Sequence, residues 1–281
     1  MTGKVAAIIP TYNRGTKIFA TLARLLACKP APCEILVHVD QSDGSLEGEL
    51  SREFPQVRTF SSVKRLGPGG GRHQCLIHSA ADFAASFDDD SWPVDENYFA
   101  CAAELLEQQR DAGVIGAQIW HRTQAAIPRS DTLLKKQNYV GCGCVFRLSA
   151  YLETRGLLAR PVPYAGEETD LSLLLFAKGW NIYHSGNLRV FHDTELRHHE
   201  SPDVTAGTIA NVALYAFLHY PVRLWPLGLL QVGNMVRFCV ANGRWRGVLR
   251  GLAVTPKVCI EYTRYRDPLS VRTIREYRAI R

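Results

Sequence analysis

The chain has to bury a strand on both faces close to its start. Val5-Ala6-Ala7-Ile8-Ile9-Pro10 is an unbroken apolar run, and such runs belong to parallel sheets covered by helices on either side. It closes on the polar loop Thr11-Tyr12-Asn13-Arg14, and the pattern then repeats. Residues 16–28 carry helical spacing through Ile18, Leu22, Leu25 and Leu26 until Pro30 and Pro32 break it. A second strand, Glu34-Ile35-Leu36-Val37-His38-Val39, ends at Asp40 and the turn Gln41-Ser42-Asp43-Gly44-Ser45. A short strand near residues 57–60 leads into Lys64-Arg65-Leu66-Gly67-Pro68-Gly69-Gly70-Gly71-Arg72, and a helix is predicted over about residues 73–81. The next strand, Ala84-Ala85-Ser86-Phe87, runs into Asp88-Asp89-Asp90. This alternation specifies an α/β fold with an open, mostly parallel sheet flanked by helices, in which ligands sit beyond the carboxyl ends of the strands.

Asn13, Arg14, Asp40, Arg72 and the acidic triplet all fall on that edge. Three adjacent carboxylates repel one another and add little to a fold. A hard divalent cation gives them a purpose, because Mg²⁺ or Mn²⁺ prefers carboxylate oxygens and can share them with a phosphate. The glycines at 67–71 are not a phosphate loop of the GxxxxGK[ST] kind, since no Lys-Ser/Thr follows. They read as a turn with several glycines at positive φ.

Beyond the triplet, residues 98–110 read as a helix and 113–119 as a strand, followed by a polar stretch at 122–138 expected to be a mobile loop. Val140-Gly141-Cys142-Gly143-Cys144-Val145-Phe146 is a strand of small residues, suited to close approach by a ligand or another backbone. Ala165-Gly166-Glu167-Glu168-Thr169-Asp170 opens a helix through Leu171, Leu174, Leu175 and Ala177, and residues 188–191 form a last strand closed by His192-Asp193. Acidic residues in a first helical turn complement the helix dipole. That accounts for Asp170 better than for the two Glu ahead of it.

In that order these elements resemble the inverting family 2 glycosyltransferases, with their Rossmann-like GT-A fold, over roughly residues 4–195. The resemblance rests on Ile9-Pro10-Thr11-Tyr12-Asn13-Arg14, Asp40 with its Ser/Gly turn, the Leu66 to Arg72 run, the acidic triplet, residues 141–145, Glu167-Glu168-Thr169-Asp170-Leu171 and Val190-Phe191-His192. It implies a hexosyl or deoxyhexosyl transferase that uses a UDP- or dTDP-sugar. Pro10, Thr11, Asn13 and Arg14 would lie near the nucleotide, with Asp40 accepting the imide N–H of uracil or thymine. Arg72, Asp88 and Asp89 would approach the nucleotide or diphosphate, and Asp88, Asp90 and His192 would hold Mn²⁺ or Mg²⁺. The family's catalytic base falls at Glu168, a longer carboxylate than the usual Asp, with Glu167 in reserve. Leu174 stands where the family carries an Arg.

Charge divides the chain. Residues 201–281 hold twelve Lys/Arg against four Asp/Glu, and residues 1–200 hold 21 against 23. The expected organisation is therefore a catalytic domain over 1–200 and a basic, apolar helical appendage over 201–281. Residues 204–255 alternate apolar stretches with Arg223, Arg237, Arg244, Arg246 and Arg250, and the charge-free span between Arg223 and Arg237, residues 224–236, is too short to cross a bilayer. Amphipathic helices on an anionic membrane surface fit this pattern; a helical cap and a homodimer contact are the alternatives. The family resemblance implies a glycan or lipid-linked acceptor. Eight scattered cysteines without zinc spacing suit a reducing compartment. The start lacks a signal-type segment, so a cytoplasmic enzyme, peripheral on the inner face of the membrane, is expected.

Two other classes compete. A sugar nucleotidyltransferase would show a glycine-rich signature with Arg and Lys after the first strand, and Pro10-Thr11-Tyr12-Asn13-Arg14 is not that. A basic nucleic-acid-binding protein would cluster its charge, whereas here the arginines are interleaved with large apolar side chains and no recognised motif occurs. Nucleic acid is not an expected partner.

Overall fold

A computed structural model describes residues 3–160, 166–194 and 201–280. Ala165, at the head of the acidic motif, and the expected boundary at residue 200 lie outside the described residues. The element order is β1 Val5–Thr11, α1 Lys17–Leu26, β2 Ile35–Asp40, α2 Ser45–Glu53, β3 Val57–Ser62, α3 Gly67–His78, β4 Phe83–Ser86, β5 Ser91–Pro93, α4 Tyr98–Gln108 and β6 Ala112–His121. Then come β7 Leu133–Lys136, β8 Cys144–Arg147, α5 Leu148–Leu152, α6 Glu167–Ala177, β9 Asn181–His192, α7 Pro202–His219, α8 Trp225–Ala241, α9 Val248–Glu261 and α10 Val271–Ala279.

Among the described residues nine strands form one mixed sheet in the order β3-β2-β1-β4-β8-β6-β9-β5, with β7 on β9. The half that begins the chain is parallel (β3, β2, β1, β4), as expected. Antiparallel pairing enters with β8, which lies between β4 and β6. The apolar run of β1 serves two cores, because successive side chains point to opposite faces. Val5, Ala7 and Ile9 pack with Ile18, Leu22 and Leu25 of α1 and Tyr98 and Phe99 of α4. Ala6 and Ile8 pack with Cys75 and Leu76 of α3, Tyr151 of α5 and Leu171 and Leu175 of α6.

The structure departs from the sequence reading at several points, among them the small-residue run, where residues 141–143 form a turn and only Cys144 onward is strand. The glycine run is not a turn with several glycines at positive φ: only Gly67 is left-handed (φ 72), and Gly69, Gly70 and Gly71 lie inside α3. Packing explains them, since a Cβ on Gly71 would stand 2.9 Å from His38 Nδ1 and 3.0 Å from Pro10 Cβ, and one on Gly69 3.2 Å from Glu167. The polar turn after β2 leads directly into α2, which rests on Leu46 and Leu50. The stretch at 122–138 contains β7, paired antiparallel to β9. Finally, β9 begins at Asn181 rather than near 188, because its first half pairs with β6 across a register shift.

The C-terminal helices share cores with the sheet domain. Leu173 of α6 packs with Tyr215 and Tyr220 and with Ile274 and Tyr277 of α10. Ser201 caps α7 by accepting from the Val204 N–H at 3.2 Å. By contrast, α8 buries only Gly228 and Cys239. Together with the turn before it, it gives a 20-residue helix, Val222–Ala241, of mean hydropathy 1.2. Length and composition would let this helix cross a membrane, which the 13-residue charge-free span did not suggest. α7 packs against both α8 and α9, so the segments on either side of α8 stay with one body.

Candidate active site

The acidic triplet turns its three side chains to different partners. Asp89 points inward and is buried; its Oδ2 accepts from Thr11 Oγ1 at 2.7 Å, and Thr21 Oγ1 donates to its carbonyl at 2.9 Å. Burial pushes Asp89 up to about 6, against the Thr11 hydrogen bond and the Arg14 charge. Asp89 thus ties the loop to β1 and α1. Asp90 Oδ2 meets an Arg14 guanidinium nitrogen at 3.1 Å, and Asp90 Oδ1 lies 3.0 Å from His192 Nε2. Burial works to raise Asp90, but His192 and Arg14 outweigh it and hold it below its ordinary value. Asp88 Oδ2 is 3.6 Å from the same His192 nitrogen, and its Oδ1 accepts from Arg72.

Strand pairing produces this convergence. β5 runs antiparallel to β9 with Ser91 opposite His192, and Asp193 N–H donates to the Asp90 carbonyl at 2.8 Å. The imidazole is therefore delivered beside two carboxylates. Burial alone would lower its pKa; Asp90, Cys142 and Asp88 raise it to about 11. These acidic neighbours hold a proton on His192. Asp88, Cys142 and His192 also present ligand atoms within 4.8 Å of one another. Two carboxylates, an imidazole and a nearby thiol fit a divalent cation.

Arg72 joins this cluster to a second set of carboxylates. It projects, buried, from the glycine-rich part of α3, donating from Nε to Ser86 Oγ at 2.8 Å and from its far end to Asp88. Glu168 stands beside it across Gly141, where a Cβ would fall 2.9 Å from Glu168 Oε1 and 3.1 Å from Arg72 Cζ. A larger residue at 141 would collide with both side chains. Burial, then the neighbouring Glu167, raise Glu168 to about 7, with Arg72 opposing. Glu167 is buried against Gly69, and its Oε2 has no hydrogen-bond partner among the described residues.

Asp170 fixes the turn that carries both Glu. It is buried on every side, its Oδ1 meeting His219 Nε2 of α7 and Arg155 at 2.8 Å, its Oδ2 within 3.3 Å of Arg160. Burial would raise its pKa, but His219, Arg160 and Arg155 hold it far below the usual carboxylate range. Asp170 therefore does more than complement the helix dipole. It binds α6 to α7.

The remaining sequence candidates are spread along the same edge. Asp40 is buried, and its carboxylate holds the start of α3: Oδ1 accepts from Ser62 Oγ at 3.0 Å and Leu66 N–H at 2.7 Å, Oδ2 from Gly67 N–H at 2.9 Å. Oδ2 keeps one lone pair. Pro10 is buried beneath Gly71, so it backs the cleft rather than facing it. Asn13 is exposed with φ 50, a left-handed turn that Asn tolerates, and Tyr12 lies under the Arg65 guanidinium at 4.4 Å. Sequence reasoning missed Cys142, for which the only signal was its place in a run of small residues. It also missed His219, for which there was none.

Residues 6–147 match the family model described as Glycosyl transferase family 2. No curated protein matches the sequence. Among solved structures, the crystal structure of GalNAc-T7 with UDP, GalNAc and Mn²⁺ is similar at TM-score 0.64 and 12% identity, over 79% of this chain and 49% of that one, so this chain spans about half its length. The mannosyltransferase PcManGT from Pyrobaculum calidifontis, in complex with GDP-Man and Mn²⁺, aligns at TM-score 0.60 and 13% identity, over 95% of this chain and 84% of that one. TarS 1-349 from S. aureus aligns at TM-score 0.59 and 16% identity, over 98% and 90%. These likenesses are likenesses of fold.

Proposed function

The chain belongs to glycosyl transferase family 2, and on that footing we propose that it is a metal-assisted, inverting glycosyltransferase moving a hexosyl or deoxyhexosyl group from a UDP- or dTDP-sugar to a hydroxyl of a glycan or lipid-linked acceptor. The observation that carries this reading is Arg72, whose guanidinium meets Asp88 of the acidic cluster and stands beside Glu168 across Gly141. Leaving-group chemistry and proton transfer need two such sets within one cleft.

Glu168 is the base. A carboxylate raised to about 7 is largely ionised at slightly alkaline pH yet basic enough to take the acceptor hydroxyl's proton as that oxygen attacks the anomeric carbon. Attack from the face opposite the departing diphosphate inverts that carbon. Glu167, buried and packed on Gly69, is the second candidate. Asp88, Asp90 and His192 would hold Mn²⁺ or Mg²⁺, which when bound neutralises charge on the diphosphate. Arg72 offers a fixed cation to the same group. Arg14 orients Asp90, and Thr11 and Asp89 set the loop between them.

Support for uracil or thymine is the one lone pair left on Asp40 Oδ2 for an imide N–H, together with UDP and UDP-GlcNAc in structures of similar fold. Residues 204–255 are read as resting on the cytoplasmic face of an anionic membrane. Support comes from Leu229 (74% exposed) and Leu249 (78%), with Arg237 on α8 and Arg244 and Arg246 in the connection between α8 and α9. The test is a thermal-shift panel of UDP, dTDP and GDP, each with and without Mn²⁺. Stabilisation by UDP or dTDP that requires Mn²⁺ is expected. No response to any nucleotide, or one indifferent to metal, would overturn the reading.

A further inference from the structure

Between the first turn of α6 and helices α7 and α8 lies a cleft of about 480 Å³. Gly166 and Thr169 form its α6 side, on the same helical turn that carries Glu168, whose carboxylate lies toward Arg72 and Gly141. Thr208 and Asn211 line it from α7, and Gln231, Asn234, Met235 and Phe238 from α8. The four α8 positions follow i, i+3, i+4, i+7 spacing, so one stripe of that helix faces the cleft. Hydroxyls and amides at this density suit sugar hydroxyls, which donate and accept at once. Gln231 Oε1 is buried without a hydrogen-bond partner among the described residues, and a buried acceptor left that way calls for a donor. Met235 and Phe238, with Val212 and Tyr215 of α7, give the lining an apolar share, and Asn234 and Phe238 lie on its exposed side.

We propose that this cleft seats the acceptor, with a hydroxylated glycosyl head against Gln231, Asn234 and Thr169, and a hydrocarbon tail leaving over Met235 and Phe238. The proposal rests on the glycosyltransferase reading and gives that reaction its second substrate as an amphiphile. The acceptor O–H gives its proton to Glu168, its oxygen forms the new bond to the anomeric carbon, and the bond from that carbon to the nucleoside diphosphate breaks. Because α8 also exposes Leu229 and Leu230 outside this stripe, a membrane-anchored acceptor could enter without leaving the lipid.

Saturation-transfer NMR on the full chain, with n-octyl glucoside, galactoside, mannoside and N-acetylglucosaminide below their micelle concentrations, tests this. At least one glycoside should receive transfer at both ring and alkyl protons. Asn234→Trp, at an exposed position where a large side chain fills the cleft without disturbing the core, should weaken that binding by about tenfold or more, and Gln231→Leu should reduce ring transfer. Unchanged binding in both variants, transfer confined to alkyl protons, or no transfer from any glycoside would overturn the proposal. The same samples are titrated with UDP and Mn²⁺. Loss of that response in the unmodified protein refutes the glycosyltransferase reading, whereas a normal response with indifferent variants refutes only the cleft.

Discussion

Replacing Glu168 by Gln should stop turnover and stabilise the fold in one substitution. The side chain's pKa rises from 4.5 to about 7 in the folded protein, so the unfolded chain ionises it more readily than the folded one. The sign follows from linkage: between those two values the folded state binds more protons, and stability falls as pH rises through that window. Above about pH 7 the full cost is present. At 1.36 kcal/mol per pKa unit it is about 3 kcal/mol at pH 8, and about 1 kcal/mol at pH 5. Gln has the shape of the acid without the charge, so the variant escapes that cost. With an unfolding entropy of about 2.1 cal/mol/K per residue, about 3 kcal/mol raises Tm by about 5 °C in a chain this long. Circular-dichroism melts at pH 8 and pH 5 in metal-free buffer should show the gain at pH 8 shrinking to about a third at pH 5. Turnover should drop by about 10²–10⁴-fold, the range for a lost general base, and wild-type kcat/KM should climb with pH through about 7. A Tm at pH 8 equal to or below that of the wild type would refute the electrostatic reasoning, and near-normal turnover would remove Glu168 from the role.

Asp90→Ala should weaken UDP binding in the presence of Mn²⁺ and leave the metal-free affinity unchanged; calorimetry that finds equal loss with and without metal would count against a ligand role. Asp170→Asn strands Arg155, Arg160 and His219 around a neutral amide, and losing one partner of a buried ion cluster costs about 3–5 kcal/mol, which denaturant titration will read. Gly71→Ala, whose Cβ would sit 2.9 Å from His38 Nδ1 and 3.0 Å from Pro10 Cβ, should destabilise by about 1–3 kcal/mol through overpacking; an unchanged midpoint would mean that the α3–β1 approach is looser than described. The full chain should pellet with anionic vesicles, release in salt and ignore neutral ones, and Leu229→Asp with Leu249→Asp should reduce pelleting.

The parallel half of the sheet was legible because β1, β2 and β4 are buried on both faces, which leaves unbroken apolar runs such as residues 5–10. The acidic triplet and His192 were legible because they sit where such runs stop. What escaped depended on contacts remote in sequence. The glycines of α3 look like a turn in a local window; their reason is Pro10, His38 and Glu167 pressing on the helix. α2 is a short helix with a left-handed Gly44 before it, and two buried leucines are too few to set a period. β7 exists only because β9 offers it an edge. Asp40 reads as a free strand-end carboxylate until the Leu66 and Gly67 amides arrive to occupy it. Likewise Asp170 looks like a helix-dipole residue until His219, 49 positions later, is set against it.

That last contact bears on how the C-terminal segment should be regarded. Charge and composition divide the chain near residue 200, and a boundary there would make residues 201–281 an appendage. The packing argues for a closer relation. α6 carries the proposed base on its first turn, and what steadies that turn is partly foreign to the sheet: His219 from α7 on Asp170, and Tyr215, Tyr220, Ile274 and Tyr277 on Leu173. Arg155 and Arg160 reach Asp170 from the sheet side, so the carboxylate is a joint held by both halves of the chain. α7 thus both lines the cleft and holds the turn that carries Glu168. If the cleft seats the acceptor as proposed, the helix that binds it is also the helix that fixes the position of the proposed base.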